Sequence, residues 1–315
     1  MTHPQITLDV LTVGEPMALF MATETGPLHA VGQFARVAAG AELNVAIGLC
    51  RLEVSAGYIT RVGQDSFGEF LQAEFAKEGI ATDYVRVDDQ HRTGFMLKTR
   101  SDDGSDPQIE YFRAGSAASY LSVEDLPSTF PARHLHVTGI TPALSASSKA
   151  LVLALIQQAR TAGARISFDP NLRPRLWPSQ VAMVETLNHI ASLADVVLPG
   201  VAEGQILVGS SEPERIADFY LQAGAKQVVV KLGPEGAFYK DADQSGVAAG
   251  VSVERVVDTV GAGDGFATGV ISALVEGLSL PEAAARGNAI GARVVQFPGD
   301  SDGLPTRAQL GLAAR

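Results

Sequence analysis

The sequence predicts an α/β fold: a largely parallel sheet covered on both faces by helices, with a small β-sheet inserted into it. Three observations predict it. Short β-branched runs alternate with longer amphipathic runs along most of the chain, the pattern of strand–helix–strand units. The strand runs are apolar, as strands buried on both faces are. Between Tyr84 and Arg113 that rhythm gives way to consecutive strand-like runs with no helix between them.

In chain order, ITLDVLTV (residues 6–13) is the first strand, and the amphipathic run 42–51 the first helix. GYITRV (57–62) and a helix over 67–78 repeat the unit. In the interruption, strands are expected at 84–87, 94–100 and 109–113, with DDGSDP as the turn between the last two. Alternating segments joined by turns make an antiparallel sheet, which residues 18–21 join from the N-terminal side. Such an insert is either a lid over a site or an edge decoration. The alternation then resumes with strands at 135–138, 165–168, 196–198 and 227–231. Helices over 145–162, 181–194 and 214–223 separate them, and two more, 264–276 and 281–295, follow.

Hydrophobic residues make up 46% of the 315 and charged residues 19%, which suits a well-buried core and argues against disorder. The formal net charge of −11 gives no general attraction for polyanions, so neither nucleic acid nor an anionic membrane surface is an expected partner. The single cysteine, Cys50, excludes an intramolecular disulfide and a multi-cysteine metal site. The N-terminus lacks the pattern of a signal peptide and no run is long enough to span a membrane, so a cytoplasmic protein is expected.

The strongest chemical signal is DTVGAGDGFATG, residues 258–269, which follows a strand-like VERVVDTV and opens an amphipathic run. Gly261 and Gly263 reach backbone angles closed to other residues and put no Cβ in a ligand's way. A helix beginning near Asp264 aims free N–H groups at that ligand, and its dipole favours negative charge. Gly261, Ala262 and Gly263 thus form an anion hole suited to a phosphate in transfer. Asp264 fits there as a general base that deprotonates a hydroxyl attacking the γ-phosphate, or else as a helix cap. The chain has no GxxxxGK[ST], and its two glycines lack the third of GxGxxG, so P-loop and dinucleotide readings are disfavoured.

Residues 258–269 resemble the C-terminal signature of the ribokinase-like (PfkB) carbohydrate kinases. AAGAELNVAIGLCRL followed by YITRVGQDSFGEFL resembles that family's N-terminal signature, in the family's order. The resemblance covers essentially the whole chain. It implies one domain over residues 1–315, of three α/β/α layers, with a discontinuous β-sheet lid from roughly 15–36 and 84–115. It also implies ATP and Mg²⁺. Matched residue by residue, it makes Asp264 the catalytic base and sets the backbone of Gly261, Ala262 and Gly263 around the transferring phosphate. KLGPEG resembles the family's segment along the nucleotide, with Lys231, Gly233 and Gly236 at the ATP site; by itself it reads as an ordinary turn. Asn288 falls where the family contacts adenine, or on an exposed helix surface. The family's Asn-x-x-Glu after a proline is here PGVAE, so Glu203 is expected to reach Mg²⁺ through water while Gly200 offers no side chain.

Gly40 and Asn44 match positions that approach substrate hydroxyls. IEYFRAGSAAS on the lid, GEPMALF after the first strand and PGDSDGLP near the C-terminus resemble the 2-keto-3-deoxygluconate kinases of that family. The match directs Tyr111 and Arg113 at the substrate; two apart on a strand, they point to one face. Arg173, in DPNLRPRLW at a strand end, is a second arginine for the substrate, and Asp300 is expected to hold a distal hydroxyl. Two guanidinium forks converging on a small ligand suit a carboxylate, hence a sugar acid. DPNLR-x-x-LW also occurs in fructokinases, the alternative reading, and Met96 stands where related enzymes can carry tyrosine. A small sheet with apolar residues on both faces needs cover, so a homodimer or higher homo-oligomer paired through the lid is expected.

Overall fold

Strands that are apolar on both sides demand two covering layers, and the computed structural model, which describes residues 7–100 and 107–315, supplies them. The chain runs β1 (Leu8–Val13), β2 (Met17–Thr25), β3 (Phe34–Ala39), α1 (Ala41–Arg51), β4 (Ala56–Gly63), α2 (Ser66–Glu78), β5 (Val85–Asp88), β6 (Phe95–Arg100) and β7 (Ile109–Phe112). It continues with β8 (Ala132–Thr138), α3 (Thr141–Leu144), α4 (Ala146–Thr161), β9 (Arg165–Asp169), α5 (Gln180–Leu193), β10 (Val196–Val197), α6 (Val201–Leu207) and α7 (Pro213–Ala223). β11 (Gln227–Lys231), β12 (Gly236–Asp241), β13 (Ser245–Ala249), α8 (Ala262–Val275) and α9 (Leu280–Val294) complete it.

A nine-stranded sheet has the order β13-β12-β11-β10-β9-β8-β1-β4-β5. Neighbours from β11 to β5 are parallel, and β12 and β13 extend the edge as an antiparallel hairpin. Side chains alternate across it: Val229 packs into a core with α1, α8 and α9, while Val228 and Val230 pack with α4, α5 and α7. Those two cores give the three α/β/α layers that the resemblance implies. Helix ends follow local chemistry. Asp65 accepts the N–H groups of Phe67 and Gly68 to start α2, and Gly79 stops it in the left-handed region at φ 74°. No helix among the described residues is long and apolar enough to cross a membrane.

The small sheet, in order β3-β2-β6-β7, departs from expectation in two ways. β2 and β6 pair in parallel, so the sheet is mixed and not wholly antiparallel. The strand expected at 84–87 belongs elsewhere: Val85–Asp88 pairs in parallel with β4 at the edge of the large sheet. The reason is connectivity, since β4, α2 and β5 form a strand–helix–strand crossover that returns the chain to its own sheet. The DDGSDP turn falls on residues 102–107, of which 102–106 lie outside the described residues. VERVVDTV forms no strand; the N–H groups of Val257 and Asp258 both turn to the Val295 carbonyl just past α9. The helix expected from 145 is α4, capped by the Ser145 hydroxyl. β3, α6 and the β12–β13 hairpin are additions that periodicity did not reveal.

Candidate active site

Carboxyl ends of parallel strands collect ligands, because chain segments leaving them diverge and expose backbone and side chains. Here Glu15 follows β1, Ile140 follows β8, Asp169 ends β9, Gly200 follows β10 and Lys231 ends β11; all five line one cavity of ≈ 490 Å³. The small sheet contributes Met17, Met96, Ile109 and Tyr111 to it, with Arg113 just past β7, so that sheet lies over the site as a lid. Gly261, Gly263, Asp264 and Asp300 line it as well.

Asp264 is in the first turn of α8 but does not cap it. Gly261 takes the cap position in the left-handed region at φ 82°, and no side chain caps this helix. A Cβ on Gly261 would run into the Asp300 carbonyl oxygen, so only glycine fits this turn. The Asp264 carboxylate instead accepts from Asn44 Nδ2 at 2.7 Å and Asn171 Nδ2 at 3.3 Å. Burial pushes its carboxyl up to about 7; Asp169 and Asp300 add to the rise, and Asn44 and Arg173 oppose it. A carboxylate poised near neutrality can take a proton and still be ionised enough to start. Beside it, Asn44 Oδ1 is buried with no hydrogen-bond partner, an acceptor open to a hydroxyl donor.

A second cavity, ≈ 340 Å³, adjoins the first and is mostly apolar, with Pro234, Val251, Val253, Val256, Phe266 and Val295 in its walls. Lys231, Thr259 and Gly263 line both cavities, so the two meet at the glycine turn. At Gly263 a Cβ would meet only Lys231 Nζ, 3.8 Å away, and would project into that junction. A polar cavity and an apolar one joined at an anion hole suit a phosphoryl acceptor on one side and a nucleotide base on the other.

Residues 7–307 match the model of the pfkB family of carbohydrate kinases. The chain belongs to that family. The kinase is 52% identical to a 2-dehydro-3-deoxygluconokinase of Bacillus subtilis (strain 168), over 96% of this chain and 94% of that one. It is 33% identical to a fructokinase of Escherichia coli, over 86% and 90% of the two chains. Among solved structures it resembles a PfkB protein from Polaromonas sp. JS666, with a TM-score of 0.90, 48% identity and coverage of 98% and 100%. A putative ribokinase II from E. coli in complex with ATP and Mg²⁺ matches with a TM-score of 0.88 at 27% identity, over 96% and 98% of the chains.

In the kinase, Gly40, Asn44, Tyr111, Arg113, Arg173, Asp300, Glu203, Lys231, Gly261, Gly263 and Asp264 all line the polar cavity. Gly233, Gly236, Ala262 and Asn288 line the apolar one. Several are already engaged. Arg113 Nε donates to Glu15 Oε2 at 2.6 Å, so its charge is met inside the protein, whereas Arg173 donates to the Leu172 carbonyl and forms no ion pair among the described residues. Asp300 accepts from Lys98 Nζ at 2.8 Å. Lys231 Nζ sits on both oxygens of Asp169 at 2.8 and 2.9 Å. Both Glu203 oxygens take backbone N–H groups, from Leu172 at 3.0 Å and Gly200 at 2.7 Å. Asn288 is not an exposed helix residue: its amide holds the Ala248 and Ala249 carbonyls beside the apolar cavity. Gly40 has a reason beyond ligand approach, since a Cβ there would sit 2.5 Å from the Glu15 carbonyl oxygen.

Sequence reasoning missed Glu15, Asp169 and Asn171. Each lies in a segment already singled out, GEPMALF or DPNLR, at the end of a strand run, and that position is the signal that could have found them.

Proposed function

We propose that this kinase transfers the γ-phosphoryl group of ATP to the terminal hydroxyl of 2-keto-3-deoxygluconate, that is, 2-dehydro-3-deoxygluconate. The observation that carries the reading is Asp264: buried, uncommitted as a cap, and set where a polar cavity under a lid meets an apolar cavity at a glycine turn. Asp264 takes the proton of the hydroxyl as its oxygen bonds to the γ-phosphorus. The bond from that phosphorus to the β–γ bridging oxygen breaks, and ADP leaves. The N–H groups of the Gly261–Gly263 turn and the start of α8 receive the charge that gathers on the γ-phosphoryl oxygens. The apolar cavity takes adenine, bordered by Asn288 and the Gly233–Gly236 turn.

Mg²⁺ supplies charge neutralisation between the phosphates when bound. The described residues hold no cluster of three or more His, Cys, Asp or Glu able to cage a metal, and Glu203 has both oxygens occupied. Those features fit a hydrated ion carried mainly by the phosphates, with Glu203 reaching it through water.

For the sugar, the 52% relative supports the acid, and the site supports an unequal pair of arginines. Arg173 meets the carboxylate, while Arg113, pinned by Glu15, offers its remaining N–H groups. Replacing Arg173 by Met should therefore lower kcat/KM for the acid by roughly tenfold or more, since a charged hydrogen bond is worth about 1.5–3 kcal/mol. Fructose, the substrate of the alternative reading, should lose much less. An unchanged acid-to-fructose ratio in the variant would sink the carboxylate assignment. We also propose that two copies pair through their lids.

A further inference from the structure

One lysine of the lid is buried, and the mechanism above does not use it. Lys98 lies on β6 two residues past Met96, so the pleat turns it to the same inner face, toward the body of the protein. Only 1% of its side chain is exposed, and its ammonium meets two carboxylates: Asp258 Oδ2 at 2.5 Å and Asp300 Oδ1 at 2.8 Å. A third contact, to the Pro298 carbonyl, is longer at 3.4 Å. Burial pulls the ammonium's pKa down, and the two carboxylates more than reverse it, so the lysine stays charged.

The two carboxylates bracket the phosphate turn. Asp258 accepts the Val260 N–H at 2.9 Å through its other oxygen and so shapes the backbone entering Gly261. Asp300 packs its carbonyl against Gly261 and lines the sugar cavity. A single cation on the lid therefore joins both flanks of the anion hole. Without it, two buried carboxylates would face each other unpaired, a costly arrangement.

We propose that Lys98 is a positioning residue that registers the lid, and the sugar beneath it, against the phosphate turn. The proposal rests on the kinase reading above and names a residue that tunes it. Lys98 touches neither the sugar cavity nor the apolar one, so its effect is on alignment, and small misalignments of reacting groups are expensive.

The test compares wild type, Lys98→Met, and the double variant Lys98→Met/Asp258→Asn, in which one facing charge is removed while the amide oxygen can still accept from Val260. Steady-state rates are measured against sugar at saturating ATP, and ATP affinity is measured separately without sugar. Both variants should show a sugar KM raised, and kcat lowered, by roughly tenfold or more, with ATP affinity within about twofold of wild type. Wild-type kcat and sugar KM in the double variant would overturn the proposal, because Lys98 would then serve only to offset its carboxylates. A double variant that does not fold, or that melts early yet keeps wild-type kinetics, would also overturn it in favour of a purely structural role. Failure of the substrate reading shows separately, as a wild type inactive on the acid; the comparison then runs on whichever sugar wild type phosphorylates.

Discussion

At the scale of one residue, Asp264 is in conflict with its surroundings, and that conflict is measurable. Its ordinary pKa is 3.8, and burial among carboxylates pushes it up to about 7. The folded state therefore holds this proton more tightly than the unfolded one, so ionisation costs the fold stability as pH rises from about 4 to 7, and the full cost persists above 7. Asp264→Asn should accordingly melt higher than wild type at pH 8, with the gain shrinking on acidification and gone near pH 4. The same variant should lose turnover by roughly a hundred- to ten-thousandfold, because the hydroxyl no longer has its base. Thermal melts at three pH values, beside a rate assay, check both halves. A variant that gains no stability at pH 8 shows that the carboxylate is not strained, and one that keeps its turnover shows that it is not the base. Such a residue was legible in the sequence because its partners in the turn, residues 258–269, are contiguous. Asn44 and Asn171, which hold it, come from α1 and from the end of β9, and no local pattern joins them to it.

At the scale of elements, sequence identified strands better than their partners. The strand expected at 84–87 in the small sheet is instead Val85–Asp88 at the edge of the large one, since a short β-branched run carries no mark of its neighbour. The β12–β13 hairpin escaped because an edge strand is half exposed; Ser245–Ala249 alternates between exposed and partly covered positions and has no run of β-branched residues. On the lid, Tyr111 faces the cavity, so Phe112 next to it faces outward, where it is 47% exposed and stacks on Phe95 at 4.6 Å between ring centroids. Phe20 adds a further ring against Phe95. Phe67 of α2 packs on both Phe20 and Phe95, so the exposed part of this face is Phe112, and an exposed aromatic edge of this kind invites a second copy. Sedimentation at micromolar concentration should find a dimer in wild type, and Phe112→Glu should shift it to monomer. A wild type that sediments as a monomer removes lid pairing.

At the scale of the whole molecule, the sheet's order explains why one site exists at all. β1 lies between β8 and β4, and the carboxyl ends of β1 and of its neighbours on one side, β8, β9, β10 and β11, supply the polar cavity. The late helices α8 and α9 then add the anion hole and a wall of the apolar cavity, and the lid covers the acceptor side. In the proposed reading, three layers and a lid are thus arranged around a single transfer, from a nucleotide to a small acid. The most direct measurement is ADP release by wild-type enzyme with ATP and Mg²⁺, comparing 2-keto-3-deoxygluconate, fructose and no sugar. The account predicts release that depends on sugar, with kcat/KM for the acid above that for fructose by at least about tenfold, the worth of one charged hydrogen bond. Preference for fructose, or release indifferent to added sugar, would contradict it.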